Sequence, residues 1–134
     1  MFLYEYKMER GIAMDSRVES YFEDIKGKKI AFLGIGGSNL PLAKIFRQKG
    51  AIVFACDKRE KEQLGKTGEE LEQMGITLKL GEHYLEQLDV DMMFRTPGMR
   101  FHTKELEQAR EKGIVVTSEM EVFFDLCPCP IYAV

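Results

Sequence analysis

A glycine-rich turn between an apolar run and a helical pattern is the stretch of this sequence best suited to chemistry. It reads Gly34-Ile35-Gly36-Gly37-Ser38-Asn39, with the apolar residues 30–33 before it and a helical pattern over 40–49 after it. Glycine lets a backbone turn tightly and approach a ligand, and a helix start offers free N–H groups and a positive dipole end. The stretch therefore predicts an anion site, most often one for phosphate.

A carboxylate follows this turn at the distance that nucleotide-binding units use. Asp57 ends the next apolar run, 51–56, and Lys58 and Arg59 come directly after it. This is about twenty residues beyond the glycines, where such a unit carries its acidic residue. In open α/β sheets ligands bind outside the carboxyl ends of the strands. The pattern favours a nucleotide site. The alternative for the glycine-rich turn is a tight turn that binds no ligand. The alternative for Lys58 and Arg59 is that they are solvated surface charges.

Asn39 departs from the dinucleotide-binding pattern. It stands where that pattern has its third glycine, which allows the helix and strand to pack closely. A side chain here disturbs a dinucleotide site, whereas an asparagine amide can donate to a phosphate oxygen at a helix start. The sequence also lacks a second glycine-rich turn for the other half of a dinucleotide. These features favour a single nucleotide diphosphate as the ligand.

The rest of the chain supplies the elements that hold this turn in place. Apolar runs alternate with helical patterns, which predicts an α/β fold: a Rossmann-like parallel sheet of about five strands with flanking helices. The predicted strands are residues 30–33, 51–56, 76–80, 91–95 and 114–117. We expect the turn to lie at the carboxyl edge of this sheet.

Several polar residues are placed where helices are expected to begin. Capping-box spacing occurs at Ser16-x-x-Glu19, Thr67-x-x-Glu70 and Ser118-x-x-Glu121, and Thr103 is expected to cap a fourth helix. The helix after the glycine-rich turn and the last helix should each bury an apolar face. These faces are Leu42, Ile45 and Phe46 in the first case, and Met120, Phe123 and Phe124 in the second.

Composition narrows the class of protein. The 134 residues suit one domain, and a net charge of −3 gives no broad basic face for nucleic acid. The apolar runs are too short to span a membrane, and residues 1–10 lack a signal-peptide core, so we expect a cytoplasmic protein. Three cysteines without zinc spacing predict reduced thiols and no metal site. His83 and His102 have no catalytic context.

Five stretches follow one another along the chain in a recognisable order. They are the glycine-rich turn, Asp57-Lys58-Arg59, Thr96-Pro97-Gly98-Met99, Ser118-Glu119-Met120-Glu121-Val122-Phe123-Phe124 and Pro130-Ile131-Tyr132-Ala133-Val134. Taken together, they resemble the N-terminal, UDP-binding domain of the Mur ligases, and within them the D-glutamate-adding branch. The resemblance covers about residues 28–134, and its more specific elements are the Thr-Pro-Gly-Met and the Ser-Glu-x-Glu-x-Phe-Phe stretches.

The resemblance implies a function for the complete enzyme and a role for each stretch. Such an enzyme uses ATP and Mg²⁺ to join D-glutamate to UDP-N-acetylmuramoyl-L-alanine in cytoplasmic peptidoglycan synthesis, through an acyl phosphate. Its N-terminal domain would hold the UDP part of the substrate. The residues implied are Gly36, Gly37, Ser38 and Asn39 at the diphosphate, Asp57, Lys58 and Arg59 around the uracil with Asp57 accepting from a ring N–H, and Thr96, Pro97 and Gly98 in the loop against that base.

The same resemblance divides the chain and leaves two other functions open. It implies an N-terminal extension and helix at 1–27, the UDP-substrate domain at 28–130, and, at 131–134, the start of a strand leading to a central ATP-binding domain. The sequence contains no Gly-x-x-x-x-Gly-Lys-Ser/Thr phosphate loop, so we expect no catalytic residues in these 134 residues. The alternatives are an NAD(P)-binding domain of an oxidoreductase or regulatory protein, and an interaction module without ligand.

Overall fold

Five parallel strands with helices packed against them form the fold, as the sequence predicts. The structure is a computed structural model that describes residues 12–127, Pro130 and Tyr132. The sheet has the order β3-β2-β1-β4-β5. Its strands are β1 (Lys29–Leu33), β2 (Ile52–Asp57), β3 (Thr77–Leu80), β4 (Met92–Arg95) and β5 (Val115–Ser118), and the helices are α1 (Ile12–Ile25), α2 (Asn39–Gln48), α3 (Lys61–Leu64), α4 (Lys66–Gln73), α5 (Lys104–Glu111) and α6 (Glu119–Leu126).

The central strand β1 is covered on both faces of the sheet. Its residues 30–33 are all fully buried, which explains why they form a continuous apolar run. Ile30 and Phe32 point into one core, and Ala31 and Leu33 point into the other. Strand β1 pairs with β2 on one side and β4 on the other, so its carboxyl end is fixed by two neighbours.

Three phenylalanines fill the centre of the larger core. Phe32 of β1 stacks on Phe94 of β4 with ring centroids 4.8 Å apart, and Phe46 of α2 meets both rings edge-on, at 5.4 and 5.2 Å. Such aromatic pairs contribute about 0.5–1.5 kcal/mol each beyond the area they bury. This cluster holds α2 against β1 and β4, and with it the turn from which α2 begins.

A smaller core lies on the opposite face. Leu106 and Ala109 of α5 pack there with Met93 of β4. Residues 82–87 form a succession of turns, and Leu88 and Val90 after them also enter this core. The connection between β3 and β4 thus closes this face with a short irregular segment and not with a full helix.

Two of the four predicted helix starts are confirmed and two are wrong. The Thr103 hydroxyl accepts a hydrogen bond from the Leu106 N–H, and the Ser118 hydroxyl accepts one from the Glu121 N–H, both at 3.3 Å. Ser16, in contrast, lies inside α1, which begins at Ile12.

Thr67 is not a cap either, because the break before α4 falls at a glycine. Gly65 adopts a φ of +55°, which favours glycine, and α4 starts directly after it at Lys66. The capping box of this region is formed one helix earlier, where Gln63 accepts a hydrogen bond from the Glu60 N–H at 2.9 Å. The start of α4 was therefore set by the positive φ of Gly65, and the capping pattern at Thr67 did not set it.

Two predicted apolar faces also differ from the structure. Helix α2 buries Ala43 and Phe46, while Leu42 is only partly buried and Ile45 is exposed. Helix α6 contains no buried residue at all, and its Met120, Phe123 and Phe124 are exposed. Helical spacing identified a shared face in α6, but it did not determine which way that face points.

Residues 131, 133 and 134 of the expected sixth strand lie outside the described residues. Among the described helices, none combines the length and the apolar character that crossing a lipid bilayer requires.

Candidate functional site

The glycine-rich turn lies where the chain changes direction across the sheet. Strand β1 is followed in sequence by β2 on one side, while β4 is its neighbour on the other side. The carboxyl ends of β1, β2 and β4 are in register, because Leu33 pairs with Cys56 and with Arg95. A crevice outside such a switch point is where open α/β sheets bind ligands. The predicted turn, acid and loop therefore meet at one edge.

Gly34 is required by the fold itself. It has a φ of +91°, and a Cβ atom at this position would lie 2.8 Å from the Cγ2 atom of Thr96. Its N–H donates to the Cys56 carbonyl at 2.6 Å. Gly34 thus lets β1 turn closely beneath the loop that follows β4, and no ligand is needed to explain why it is glycine.

Gly36 and Gly37 are different, because the fold does not demand glycine at either position. Neither has a positive φ, and a Cβ atom would meet nothing within 4 Å. Both are exposed, and no acceptor among the described residues takes the N–H of either one. Space and free N–H groups at the start of a helix suit an anion that approaches the backbone closely.

Ser38 stands at the N-cap of α2 without using its side chain as a cap. Its φ and ψ are −89° and −45°, and its hydroxyl makes no capping hydrogen bond. Helix α2 begins instead with the Leu40 N–H donating to the Gly36 carbonyl at 3.0 Å. The partly exposed hydroxyl of Ser38 is therefore available to a ligand beside the glycine N–H groups.

Asn39 serves the fold from beneath the turn. Its side chain is buried, with 1% of the residue exposed, and its Nδ2 donates to the carbonyls of Leu33, Gly34 and Phe94 at 3.1–3.3 Å. The expectation that this amide donates to a phosphate oxygen is not met here, because both of its hydrogens are directed at backbone carbonyls. Asn39 ties the start of α2 to β1 and β4.

Asp57 and Arg59 form a clamp on the glycine-rich turn. The Asp57 carboxylate accepts from the Ile35 N–H at 2.8 Å, from the Arg59 N–H at 2.9 Å, and from two side-chain nitrogens of Arg59 at 3.0 and 2.9 Å. Arg59 in turn donates to the Ile35 carbonyl at 2.7 Å. Ile35 is thus held on both its N–H and its carbonyl.

The clamp also fixes the charge of Asp57. Burial by itself would raise the pKa of this carboxyl, but the hydrogen bonds from Arg59 and Ile35 and the positive charge of Arg59 outweigh burial and lower the pKa to about 2. Asp57 is therefore ionised at neutral pH. Its neighbour Cys56 behaves in the opposite way, because burial raises the pKa of that thiol to about 12.

The roles predicted for Asp57, Lys58 and Arg59 around a uracil remain predictions. A carboxylate offers about four acceptor positions, and all four are occupied in the clamp. A ring N–H would have to replace one of the Arg59 donors. Lys58 is exposed, and Asp57 forms its ion pair with Arg59.

The loop after β4 completes the edge. The Met99 N–H donates to the Thr96 carbonyl at 3.1 Å, which closes a turn with Pro97 and Gly98 exposed at its tip. Gly98 has no positive φ, and a Cβ atom there would meet nothing within 4 Å. As at Gly36, the fold does not require glycine at position 98, and the space beside it is open.

Two residues that sequence reasoning did not select contribute to this edge. Ile35 is the point that the clamp holds, and its position inside the Gly-x-Gly pattern was the available signal. Arg95, the residue before Thr96, lies 3.5 Å from the Glu121 carboxylate. The two histidines, to which no role was assigned, each lie beside a glutamate, His83 at Glu86 and His102 at Glu107.

Comparison with known proteins identifies a family of similar sequences. Residues 28–118 match the family described as "Mur ligase MurD-like, N-terminal domain". The chain is 46% identical over 122 residues to a UDP-N-acetylmuramoylalanine–D-glutamate ligase of Acetivibrio thermocellus, and 44% identical over 122 residues to that of Clostridium botulinum strain Hall. These alignments cover 90% of this chain but only 26% and 27% of the relatives. The chain thus spans about a quarter of their length.

A solved structure agrees with the sequence comparison. The UDP-N-acetylmuramate-alanine ligase MurC of Thermotoga maritima superposes on 73% of this chain and 22% of its own, with a TM-score of 0.58 and 26% identity. The similarity again concerns one part of a longer protein.

Proposed function

Because this chain belongs to the family of MurD-like Mur ligase N-terminal domains, we propose that it binds the UDP part of UDP-N-acetylmuramoyl-L-alanine. The names of its relatives describe a ligase that joins UDP-N-acetylmuramoylalanine and D-glutamate. The longer protein would be such a ligase, would depend on ATP and would act in cytoplasmic peptidoglycan synthesis. One observation carries the proposal. The exposed glycines 36 and 37 keep free N–H groups and open space at the start of α2.

The diphosphate is proposed to lie against this helix start. The N–H groups of Gly36 and Gly37 and the hydroxyl of Ser38 would donate to its oxygens, and the dipole of α2 favours negative charge there. Gly36 and Gly37 let the phosphates come within hydrogen-bond distance of the backbone, since no side chain stands between them. Asn39 would contribute indirectly, by holding the turn on the sheet.

The uracil is proposed to bind between the Asp57–Arg59 clamp and the Thr96–Gly98 loop. A ring N–H would take one acceptor position of Asp57, and the displaced Arg59 donor would turn to the base or the solvent. Gly98 would let the backbone lie against the ring. Lys58, exposed beside the clamp, would lie at the uracil together with Asp57 and Arg59.

The remaining steps of the ligase reaction would belong to the part of the protein that this chain does not span. ATP, Mg²⁺ and D-glutamate would be bound there, and residues 131–134 would lead into the ATP-binding domain. The 28–130 unit would present the substrate to that domain and would carry no catalytic residue of its own.

Ligand binding measured on the purified chain tests the proposal. UDP-N-acetylmuramoyl-L-alanine and UDP should raise the unfolding temperature, and NAD and NADP at matched concentrations should leave it unchanged. A ligand at about a hundred times its Kd stabilises by roughly 2.7 kcal/mol, which is on the order of 6–15 °C for a domain of this size. A larger shift with NAD or NADP would contradict the proposal. Replacing Gln48, at the exposed end of α2, by Ala gives a control that should bind like the original chain.

A further inference from the structure

An exposed phenylalanine lies against two arginines at the far end of the loop that follows β4. Phe101 is 44% exposed. The guanidinium carbon of Arg110 lies 4.2 Å from the centre of the Phe101 ring, and that of Arg95 lies 5.3 Å from it. Both distances allow a cation–π interaction, in which the face of an aromatic ring attracts a cation. We call these three residues the Phe101 cluster.

The two arginines reach Phe101 from different elements. Phe94 of β4 lies in the larger core, so Arg95, the next residue of the strand, points to the opposite face, where α5 packs. Arg110 stands in the last turn of α5. Its Nη1 atom donates to the Phe101 carbonyl at 3.0 Å and to the Glu107 carboxylate at 2.7 Å. Strand β4 and helix α5 thus both hold one residue of the loop.

The arginines of the Phe101 cluster are largely withdrawn from water. The side chains of Arg95 and Arg110 are 17% and 23% exposed, and no described residue accepts a hydrogen bond from the buried Arg95 Nε or Arg110 Nη2. A buried charged donor without a partner is unfavourable, and a cation–π interaction is strongest where the cation is desolvated. The Phe101 ring therefore compensates these guanidinium groups, and they keep an exposed ring in a fixed position.

The loop after β4 is held at both ends, while its tip is exposed. At its start, the Cγ2 atom of Thr96 lies where a side chain on Gly34 would have to be. At its end, the loop is held by the Phe101 cluster. Residues 97 and 98 between these points are exposed, and the Met99 N–H closes their turn on the Thr96 carbonyl at 3.1 Å.

We propose that Arg110 and Arg95 are positioning residues for UDP binding, and that they act through Phe101. This inference rests on the proposed function, in which the Thr96–Gly98 loop lies against the uracil. Neither arginine would touch the ligand. By fixing Phe101 they would hold the loop at the distance at which its backbone meets the base. A loop that is ordered in advance loses less conformational entropy on binding.

A fault in this loop should affect the uracil and spare the diphosphate. The proposed diphosphate site belongs to another part of the fold, residues 36–38 at the start of α2. Loss of the Phe101 cluster should therefore weaken the binding of UDP and leave the binding of inorganic pyrophosphate, which has no base, unchanged. This difference separates a positioning role from general damage to the fold.

Substitutions of Phe101 test the inference by titration of the 134-residue chain with UDP and with pyrophosphate. Phe101→Leu keeps an apolar side chain but removes the ring. It should lower the UDP affinity about tenfold, while the pyrophosphate affinity stays within about twofold. Phe101→Tyr keeps the ring face and should bind both ligands like the original chain. Phe124→Leu is the matched control, because Phe124 is 45% exposed and no described cation lies over its ring.

Arg110→Lys is the complementary variant. It keeps a positive charge beside Glu107 but loses the planar guanidinium, which lies over the Phe101 ring and donates to the Phe101 carbonyl at the same time. It should lower the UDP affinity about as much as Phe101→Leu does. Unchanged UDP affinity in both variants, or an equal loss for UDP and pyrophosphate, would overturn the inference.

Amide hydrogen exchange without ligand separates this inference from the proposed function. The Met99 N–H should exchange about tenfold faster in Phe101→Leu, and at the original rate in Phe101→Tyr and Phe124→Leu. If the original chain bound no UDP, the proposed function would fail, and faster Met99 exchange would still show that Phe101 holds the loop. If UDP bound but Met99 exchanged equally in all variants, the positioning role would be refuted and the function would stand.

Discussion

Two adjacent residues at the start of α2 have opposite environments, and they are expected to respond differently to substitution. Asn39 is buried, and its amide is shared by three backbone carbonyls from β1, the turn and β4. Ser38 is partly exposed, and its hydroxyl makes no capping hydrogen bond. The first residue should matter for stability, and the second for ligand binding.

Replacing Asn39 by Leu should destabilise the chain by about 2–4 kcal/mol. The substitution keeps the branched shape of the side chain but leaves buried carbonyls with fewer donors, and an unsatisfied buried polar group costs about 1–3 kcal/mol. Urea unfolding followed by circular dichroism measures the change. A loss below about 0.5 kcal/mol would show that the three hydrogen bonds of Asn39 do not hold the turn.

Replacing Ser38 by Ala should leave the free energy of unfolding within about 0.5 kcal/mol, since no cap hydrogen bond is lost. The affinity for UDP should fall about tenfold, because a hydrogen bond to a charged phosphate contributes roughly 1.5–3 kcal/mol. Isothermal titration with UDP checks this. Unchanged affinity together with lower stability would mean that Ser38 acts as a cap after all.

The charge of Asp57 predicts a dependence of stability on pH. Its pKa is lowered in the fold to about 2, whereas an unfolded aspartate titrates near 3.9. Because the folded pKa is the lower one, this stabilisation is present above about pH 4 and is lost as the pH falls through 2. The shift corresponds to roughly 2–3 kcal/mol.

The comparison with Asp57→Asn isolates this contribution from those of other carboxylates. At pH 7 the original chain should be more stable than the variant, and the difference should shrink between about pH 4 and pH 2 because a protonated aspartate resembles asparagine. Urea unfolding at several pH values gives both curves. A difference that does not change with pH would rule out an ionised Asp57 as the centre of the clamp.

At the scale of elements, the turn from β1 to α2 combines two kinds of glycine. Gly34 is there because β1 must pass close to Thr96 with a positive φ, while Gly37 occupies open space in an ordinary conformation. The first serves the packing of strand against loop. The second leaves room at the helix start, which is the property that supports ligand binding.

Alanine at these two positions should separate the roles. Gly34→Ala should destabilise the chain by about 1–3 kcal/mol through backbone strain, and by more through contact with Thr96. Gly37→Ala should leave stability unchanged or raise it by up to about 1 kcal/mol, while UDP affinity falls about tenfold because the methyl group stands where a phosphate would approach. Thermal unfolding and UDP titration of both variants provide the measurements. Equal UDP affinity in Gly37→Ala and the original chain would remove the argument for a diphosphate at this turn.

At the scale of the whole molecule, the proposed function makes this chain a unit that holds the substrate for a domain that would carry out the chemistry. We expect the purified 134-residue chain to show no ATP hydrolysis and no ligation of D-glutamate above background. Phosphoryl transfer depends on positioning of the phosphates, and this sequence has no phosphate loop to position ATP. Turnover measured with UDP-N-acetylmuramoyl-L-alanine, ATP, Mg²⁺ and D-glutamate would contradict this expectation.

The sequence predicted the type and order of the elements well because those depend on local patterns. Continuous apolar runs identified the strands, and Thr103 and Ser118 were correctly assigned as caps. One failure occurred where two local signals competed. At Thr67, the freedom of Gly65 to adopt a positive φ set the helix start, and the capping pattern did not.

What the sequence determined by itself is the α/β alternation, the glycine-rich turn after β1 and the acid at the end of β2, since each follows from residue types at fixed spacing. Only the tertiary structure decided what Asn39, Asp57 and α6 do. Asn39 turned inward because the carbonyls of Leu33 and Gly34 meet that of Phe94 at its amide, and Asp57 filled its acceptor positions with Arg59 and Ile35. The apolar face of α6 points outward because Ser118, Glu121 and Arg95 hold the opposite side. Each outcome depends on at least one contact between residues distant in sequence, which spacing along the chain does not specify. These contacts join Asn39 to Phe94, Asp57 to Ile35 and Glu121 to Arg95.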